Sequence, residues 1–366
     1  MRGGRWHHLA RQLTSPASHH PWRIQITHLG AHFEAGRPAI AIEASIREAA
    51  LPEGSSVGPV WAAPTTVPNG SRSKTTGYKS NRMDNRIANT TKGPIEYTLL
   101  GNGPVILVCH GTSSNCFSAD GYAPFLKAGF SVLTPSRPGY GRTPLAVGVS
   151  AKEAANAMIA LLDMLEISTC VSIAISGGGP TGISLAANWP HRIHRLSLIA
   201  AIARPEDRSN EPAYRRQVDF YGPMHNVIWK MLHLMSWLSP DRIARQTMAI
   251  FSNHDPEDAF RRLTRAEIKN ICSFYQRRSS RQGALNDFAQ TVGKELLQKI
   301  EVPTLVIHSR EDGSVPFSHA EWSLAHIPHA ELCESGFTGH FYWVGPDYQR
   351  VSQRLVDFFK AEAQPI

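Results

Sequence analysis

The chain has 366 residues, 42% of them hydrophobic and 19% charged, which is enough apolar material to bury a core and excludes wholesale disorder. No run reaches the roughly 18 consecutive apolar residues of a membrane span, and five cysteines in so long a chain do not make a disulfide framework. The formal charge of +8 suggests a polyanion until it is located: residues 1–94 hold twelve of the 38 Lys and Arg but five of the 30 Asp and Glu, so the remainder is nearly neutral and nucleic acid is not an expected partner.

Residues 1–82 are rich in Pro, Gly, Ser, Thr and His, with no sustained period beyond an alternation at Ile24–Ile26 and one candidate helix over Ala39–Ala50. A largely disordered N-terminal extension is expected. Its first 33 residues carry Arg and His without an acid, as transit peptides do, but lack the apolar block of about 7–15 residues in a secretory signal. A flexible tail, a targeting segment and a chain start at Met83 stay open, and the expected compartment is the cytoplasm. Six histidines (His7, His8, His19, His20, His28, His32) fall in this segment with no partner cysteine, so they read as solvated and neither a metal nor another cofactor is expected.

From about Arg86, short apolar strands alternate with amphipathic helices. Ile95–Leu100 is expected as one arm of an antiparallel opening pair turned at Gly101-Asn102-Gly103. Strand Val105–Cys109, a helix near Ala119–Ala128 and strand Phe130–Thr134 follow. A helix over Lys152–Glu166 places Ala155, Met158, Ile159, Leu162 and Leu165 on one stripe. Next come strand Cys170–Ile175, helix Thr181–Asn188 and strand Leu196–Ala203. Between residues 204 and 300 strand signals almost vanish, while Met224–Leu238 and the basic stretch Arg261–Arg281 read as helices, which predicts an inserted helical cap or lid. Its stripe of Val227, Trp229, Leu232, Leu234, Met235, Trp237 and Leu238 is expected to pack, and Arg277, Arg278 and Arg281 to lie on a solvated face. The core then resumes with strand Pro303–His308, helix Ser318–His326, strand Ala330–Glu334 and a C-terminal helix over Tyr348–Glu362. Strands apolar on both faces and separated by helices imply an α/β fold: a mostly parallel central sheet with helices on both faces, built from residues 83–203 and 301–366.

Chemistry concentrates where strands end. Ile173-Ala174-Ile175-Ser176-Gly177-Gly178-Gly179-Pro180 places a serine on a sharp strand-to-helix turn, with small residues two before and two after it, as close approach of strand and helix demands. A phosphate-binding loop would need a Gly-Lys-Ser/Thr ending or a Gly-x-Gly-x-x-Gly pattern, and the segment fits neither well. A serine nucleophile needs a base, itself oriented by a third group. Downstream, Asp312 follows strand Pro303–His308 and His340 follows strand Ala330–Glu334, in a loop whose glycines leave it free to present the ring inward. Glu311, one position nearer its strand, should point elsewhere. After strand Val105–Cys109, His110-Gly111-Thr112 can supply a backbone donor to a developing oxyanion from Thr112, with Gly177 supplying the other. The Thr112 hydroxyl is a third donor or a turn cap, His110 supports the loop, and Arg137 positions its own loop or touches substrate. Cys109, Cys170 and Cys333 are expected to be buried and reduced.

With these pieces in order, residues 86–362 resemble the α/β-hydrolase family. The His-Gly loop, Ser136–Gly141 (Ser-Arg-Pro-Gly-Tyr-Gly), Ser-Gly-Gly-Gly-Pro, Asp-x-x-Val-Pro and Gly-His-Phe stand in that family's order. The resemblance implies Ser176 as nucleophile, His340 as general base and acid, and Asp312 as its orienting partner. Ala174 and Ser309 depart from glycines common in the family. Serine rather than aspartate at the elbow argues against the carboxylate chemistry of haloalkane dehalogenases and soluble epoxide hydrolases. The expected activity is hydrolysis of an ester, lactone or related small, partly apolar acyl substrate. An acyltransferase using the same three residues and a slow, receptor-like ligand binder are the alternatives.

Overall fold

The computed structural model describes residues 86–204, 215, 218–277 and 279–361, so the expectations for residues 1–82 and for Arg278 lie outside them. Alternation within Val105–Cys109 sets the layering. Leu107 and Cys109 pack into one apolar cluster, Ile106 and Val108 into the other, and all four are inaccessible to solvent. A strand buried on both faces needs helices on both sides, and the chain supplies them.

Eight strands form one sheet: β1 (Arg86–Thr90), β2 (Gly93–Leu100), β3 (Val105–Cys109), β4 (Ser131–Pro135), β5 (Cys170–Ile175), β6 (Ile193–Ile199), β7 (Thr304–His308) and β8 (Ala330–Glu334). Their spatial order is β1-β2-β4-β3-β5-β6-β7-β8; β2 runs antiparallel to both its neighbours and every other pairing is parallel. The opening pair expected from the sequence is present, but its turn lies between Thr90 and Gly93 rather than at Gly101–Gly103, which instead leads β2 to a strand that is not its neighbour. Only Ala88 of β1 is buried, so that strand carries almost no apolar signal.

Eleven helices are described: α1 (Ala123–Lys127), α2 (Ala151–Met164), α3 (Gly179–Asn188), α4 (His225–Leu238), α5 (Pro240–Phe251), α6 (Pro256–Arg261), α7 (Arg265–Gln276), α8 (Arg281–Ala289), α9 (Lys294–Leu297), α10 (Ser318–His326) and α11 (Tyr348–Lys360). Helix α2 starts where Ser150 and Glu153 cap each other reciprocally: Glu153 N–H donates to Ser150 Oγ at 3.2 Å, and Ser150 N–H to the Glu153 carboxylate at 2.9 Å. Met158, Leu161 and Leu162 of α2, with Ile183 and Leu185 of α3, cover one face of the sheet. Phe125 of α1 and Leu355, Phe358 and Phe359 of α11 cover the other. Each such buried side chain contributes about 1.5–3 kcal/mol.

Between β6 and β7 the described chain is helical from α4 to α9, as the sequence predicts. The stripe on α4 divides, however. Trp229 and Leu232 are buried among Ile243, Met248 and Ile271, whereas Val227, Leu234, Trp237 and Leu238 are each more than half exposed. The helix is apolar on most of its circumference, so periodicity could not choose the inward face.

Register places the functional edge. Ile175 lies beside Ile199, Ile199 beside Ile307 and Ile307 beside Cys333, so β5 to β8 finish level with one another. The loops after β3, β5, β7 and β8 therefore open at one rim, the carboxyl edge where open α/β sheets hold ligands.

Candidate active site

Beyond β5 the chain turns at Ser176 with φ of 50°, a left-handed conformation that costs a non-glycine residue about 1–3 kcal/mol. A single 3-10 turn, Ser176–Gly178, leads into α3. The strain lifts the Ser176 side chain off the strand. It also leaves the Gly177 N–H at the start of a helix, where the first amides have no intrahelical acceptor.

Three of the predicted side chains meet. His340 Nε2 lies 3.0 Å from Ser176 Oγ, and His340 Nδ1 lies 2.7 Å from Asp312 Oδ2. An ionised carboxylate can only accept, so Nδ1 carries the ring proton and Nε2 is left as the acceptor facing the serine hydroxyl. Asp312 Oδ1 accepts the N–H groups of Ser314 and Val315 at 2.8 and 2.9 Å, and His308 Nε2 stands 3.4 Å from Oδ2. Burial by itself pushes the Asp312 carboxyl up, but the His340 and His308 rings outweigh it and hold the group well below the usual carboxylate range. Glu311 does point elsewhere, toward His254 at the surface, 3.7 Å away.

The inserted helices take part in holding this arrangement, which no local motif announces. At the end of α5 the Phe251 carbonyl accepts the N–H of His340 at 2.8 Å and of Gly313 at 3.2 Å. The Phe251 ring stacks on His340 with centroids 5.6 Å apart. The glycine before His340 proves to be a matter of contact rather than looseness: a Cβ on Gly339 would sit 2.4 Å from the Phe251 carbonyl oxygen. Ser309, where the family commonly has glycine, ties the two loops together. Its hydroxyl donates to the Phe337 carbonyl at 3.0 Å and accepts Glu311 N–H at 3.1 Å.

On the other side of Ser176 stand Thr112 and Gly177. A Cβ on Gly177 would lie 2.2 Å from Thr112 Oγ1, so the two residues named as oxyanion donors are neighbours. The Thr112 hydroxyl is neither a third donor nor a turn cap, because it donates to Asp287 Oδ2 at 2.8 Å. That carboxylate, from α8, also receives both terminal nitrogens of Arg137 at 2.7 Å and the Tyr140 hydroxyl at 2.6 Å. Arg137 Nε in turn donates to the His110 carbonyl at 2.7 Å and its N–H to His110 Nε2 at 3.0 Å. With Nε2 accepting, Nδ1 bears the proton and donates to the Gly111 carbonyl at 2.8 Å. Burial first, and the Arg137 charge second, hold His110 well below its ordinary pKa, so the ring is neutral. Of the two roles open to Arg137, loop positioning is the observed one. Asp287 was missed by sequence reasoning. Its only signal is a lone acid standing beside Phe288 and close to Leu285, in a helix whose one other charged residue is Arg281.

Arg277 departs from expectation as well: it is largely buried and paired with Asp120 instead of facing solvent. All five cysteines are free thiols and buried. Among the described residues no group of three or more His, Cys, Asp or Glu side chains is placed to hold a metal ion, and no helix is long and apolar enough to cross a membrane.

Comparison with known proteins bears on the family and the fold. The family described as the alpha/beta hydrolase family matches residues 105–353. An uncharacterized hydrolase, YcgS, of Bacillus subtilis is 34% identical over 272 residues, covering 74% of this chain and 96% of that protein. A pimeloyl-[acyl-carrier protein] methyl ester esterase of Aromatoleum aromaticum is 27% identical over 246 residues, 65% of this chain and 92% of the esterase. Among solved structures, an alpha/beta hydrolase fold protein from Nakamurella multipartita superposes with a TM-score of 0.64 at 24% identity, covering 75% of this chain and 99% of its own. From the matched family, the mostly parallel eight-stranded sheet and the named relatives, the chain belongs to the α/β-hydrolase family and is a hydrolase of that fold.

Proposed function

We propose that the protein is a serine hydrolase that cleaves an ester, lactone or related small acyl compound through an acyl-enzyme on Ser176. The observation that carries this reading is the unbroken relay from Ser176 Oγ to His340 Nε2 at 3.0 Å and from His340 Nδ1 to Asp312 at 2.7 Å. His340 takes the hydroxyl proton as Ser176 Oγ adds to the acyl carbon, and the carbonyl oxygen gathers negative charge beside the N–H groups of Gly177 and Thr112. Collapse of this intermediate expels the leaving group, to which His340 returns the proton. A water, deprotonated by the same imidazole, then releases the acid and restores Ser176. The ionised Asp312 keeps the ring in the tautomer this sequence needs and stabilises the imidazolium that forms twice per turnover. The methyl ester esterase among the relatives supports an acyl oxygen bond as the target. The inserted helices act in this reading as a lid whose inner side lines an apolar acyl pocket.

The test is covalent. A fluorophosphonate probe should label Ser176 stoichiometrically, and Ser176→Ala should abolish both labelling and turnover across esters and lactones of graded acyl length. Folded wild-type protein that takes up no probe would overturn the reading.

A further inference from the structure

We propose that Asp287 is a positioning residue for the Gly177–Thr112 donor pair: a carboxylate delivered by the inserted helices that sets the geometry of the candidate oxyanion site. The inference rests on the serine hydrolase reading of Ser176. Asp287 is 4% exposed, and a buried carboxylate must find donors or be costly. It finds four, and all of them belong to the loops after β3 and β4: Thr112 Oγ1, two nitrogens of Arg137, and the Tyr140 hydroxyl. The cluster lies directly against the elbow, since a Cβ on Gly177 would come within 2.9 Å of Asp287 Oδ2.

Three consequences follow from this placement. The hydroxyl proton of Thr112 is committed to Asp287, which fixes the Thr112 side chain and, through it, the direction of its N–H. Arg137 binds Asp287 with one end and the His110 carbonyl with Nε, so the peptides on the β3 side of Thr112 are held by the same ion pair. The guanidinium also neutralises the carboxylate, so a negative charge can develop on the substrate oxygen close by without facing an unpaired anion. Helix α8 packs closely on the loop after β4: a Cβ on Gly283 would lie 2.5 Å from the Tyr140 ring, and Ser280 Oγ donates to the Gly139 carbonyl.

The test uses the full chain and three variants, Asp287→Asn, Thr112→Val and Thr112→Ser, with p-nitrophenyl butyrate turnover, the rate of Ser176 labelling by a fluorophosphonate, and thermal melting. Thr112→Val keeps the backbone donor and the Asp287–Arg137 pair and removes only the hydroxyl. It should lower kcat and the labelling rate by about 10- to 100-fold, with KM within about twofold and Tm close to wild type. Thr112→Ser, which restores the hydroxyl, should recover most of that loss. Asp287→Asn should lower kcat by at least as much, and adding Thr112→Val to it should cost less than Thr112→Val costs alone, because the hydrogen bond that Thr112→Val removes is already disturbed. Thr112→Val turning over and labelling like wild type, or losing only KM, would overturn the inference, and this pair of Thr112 variants decides the matter should Asp287→Asn fail to fold. Wild type that neither labels nor turns over would instead end the hydrolase reading, and this inference with it.

Discussion

Gly178→Ala sets two physical effects against each other. The Gly178 backbone is right-handed, at φ −79° and ψ −11°, so alanine fits without strain, and reduced freedom of the unfolded chain alone would stabilise the variant by about 0.4–1 kcal/mol. Sterics act the other way. A Cβ here would lie 2.2 Å from the Cys109 carbonyl oxygen and 2.7 Å from that of His110, and both obstacles are backbone. Ordinary contact distance is regained only if the start of α3 and the end of β3 part by about 1 Å, an overpacking that costs about 1–3 kcal/mol. The steric term wins, for a net loss of about 1–2 kcal/mol and a Tm lowered by about 2–8 °C. The same displacement separates Ser176 from His340 and from the His110–Thr112 loop, and a misplacement of about 1 Å costs about 100-fold in rate. Melting curves and steady-state kinetics on a p-nitrophenyl ester measure both. A variant with raised Tm and kcat within twofold of wild type would show that the elbow does not need this approach, and the steric reasoning would be wrong.

Four further outcomes are expected. Asp312→Asn should lower kcat by about 10⁴-fold by releasing the His340 tautomer. Because the Asp312 carboxyl is more acidic in the folded than in the unfolded chain, its stabilisation is complete above the unfolded value of about 3.9 and is withdrawn as pH falls below it. Wild-type Tm should therefore drop more steeply than that of Asp312→Asn between about pH 5 and 3, and equal slopes would contradict the assignment. Burial pushes the Cys109 and Cys170 thiols up to about 12, so a disulfide reagent at pH 8 should titrate neither in native protein and all five cysteines after denaturation. On α4, Leu232→Ala should cost about 2–5 kcal/mol and Leu234→Ala about 0.5 kcal/mol or less, as read from urea unfolding.

The central strands could be read from the sequence because a parallel sheet buries both faces: Val105–Cys109 is apolar throughout, and Cys170–Ile175 is interrupted only by the buried Ser172. Ser176, Asp312 and His340 were legible for a related reason: Ser176 directly follows β5, the other two lie in the loops after β7 and β8, and strands that end level bring their loops together. Strand β1 escaped because it sits at the sheet edge with one buried side chain and answers to its partner more than to its own composition. The face of α4 could not be chosen from a helix apolar on most sides. Asp287 and Phe251 reach the site across 111 and 75 residues of chain from Ser176, through contacts that involve one carboxylate and one main-chain carbonyl, and neither leaves a local pattern.

The seating of Phe251, Ser252 and Asn253 bears on how far this architecture is modular. Asn253 N–H donates to the Glu311 carbonyl at 2.9 Å, its side-chain amide to the Asp312 carbonyl at 3.0 Å, and Ser252 bridges Asp312 as a strand partner would. A chimera that borrowed its helices from another hydrolase would strip the His340 amide of its acceptor and leave Arg137 with an uncompensated charge. Changes of selectivity in this protein are therefore better sought by single replacements among the helices than by transplanting them, with residues 251–253 and 287 kept native in every design.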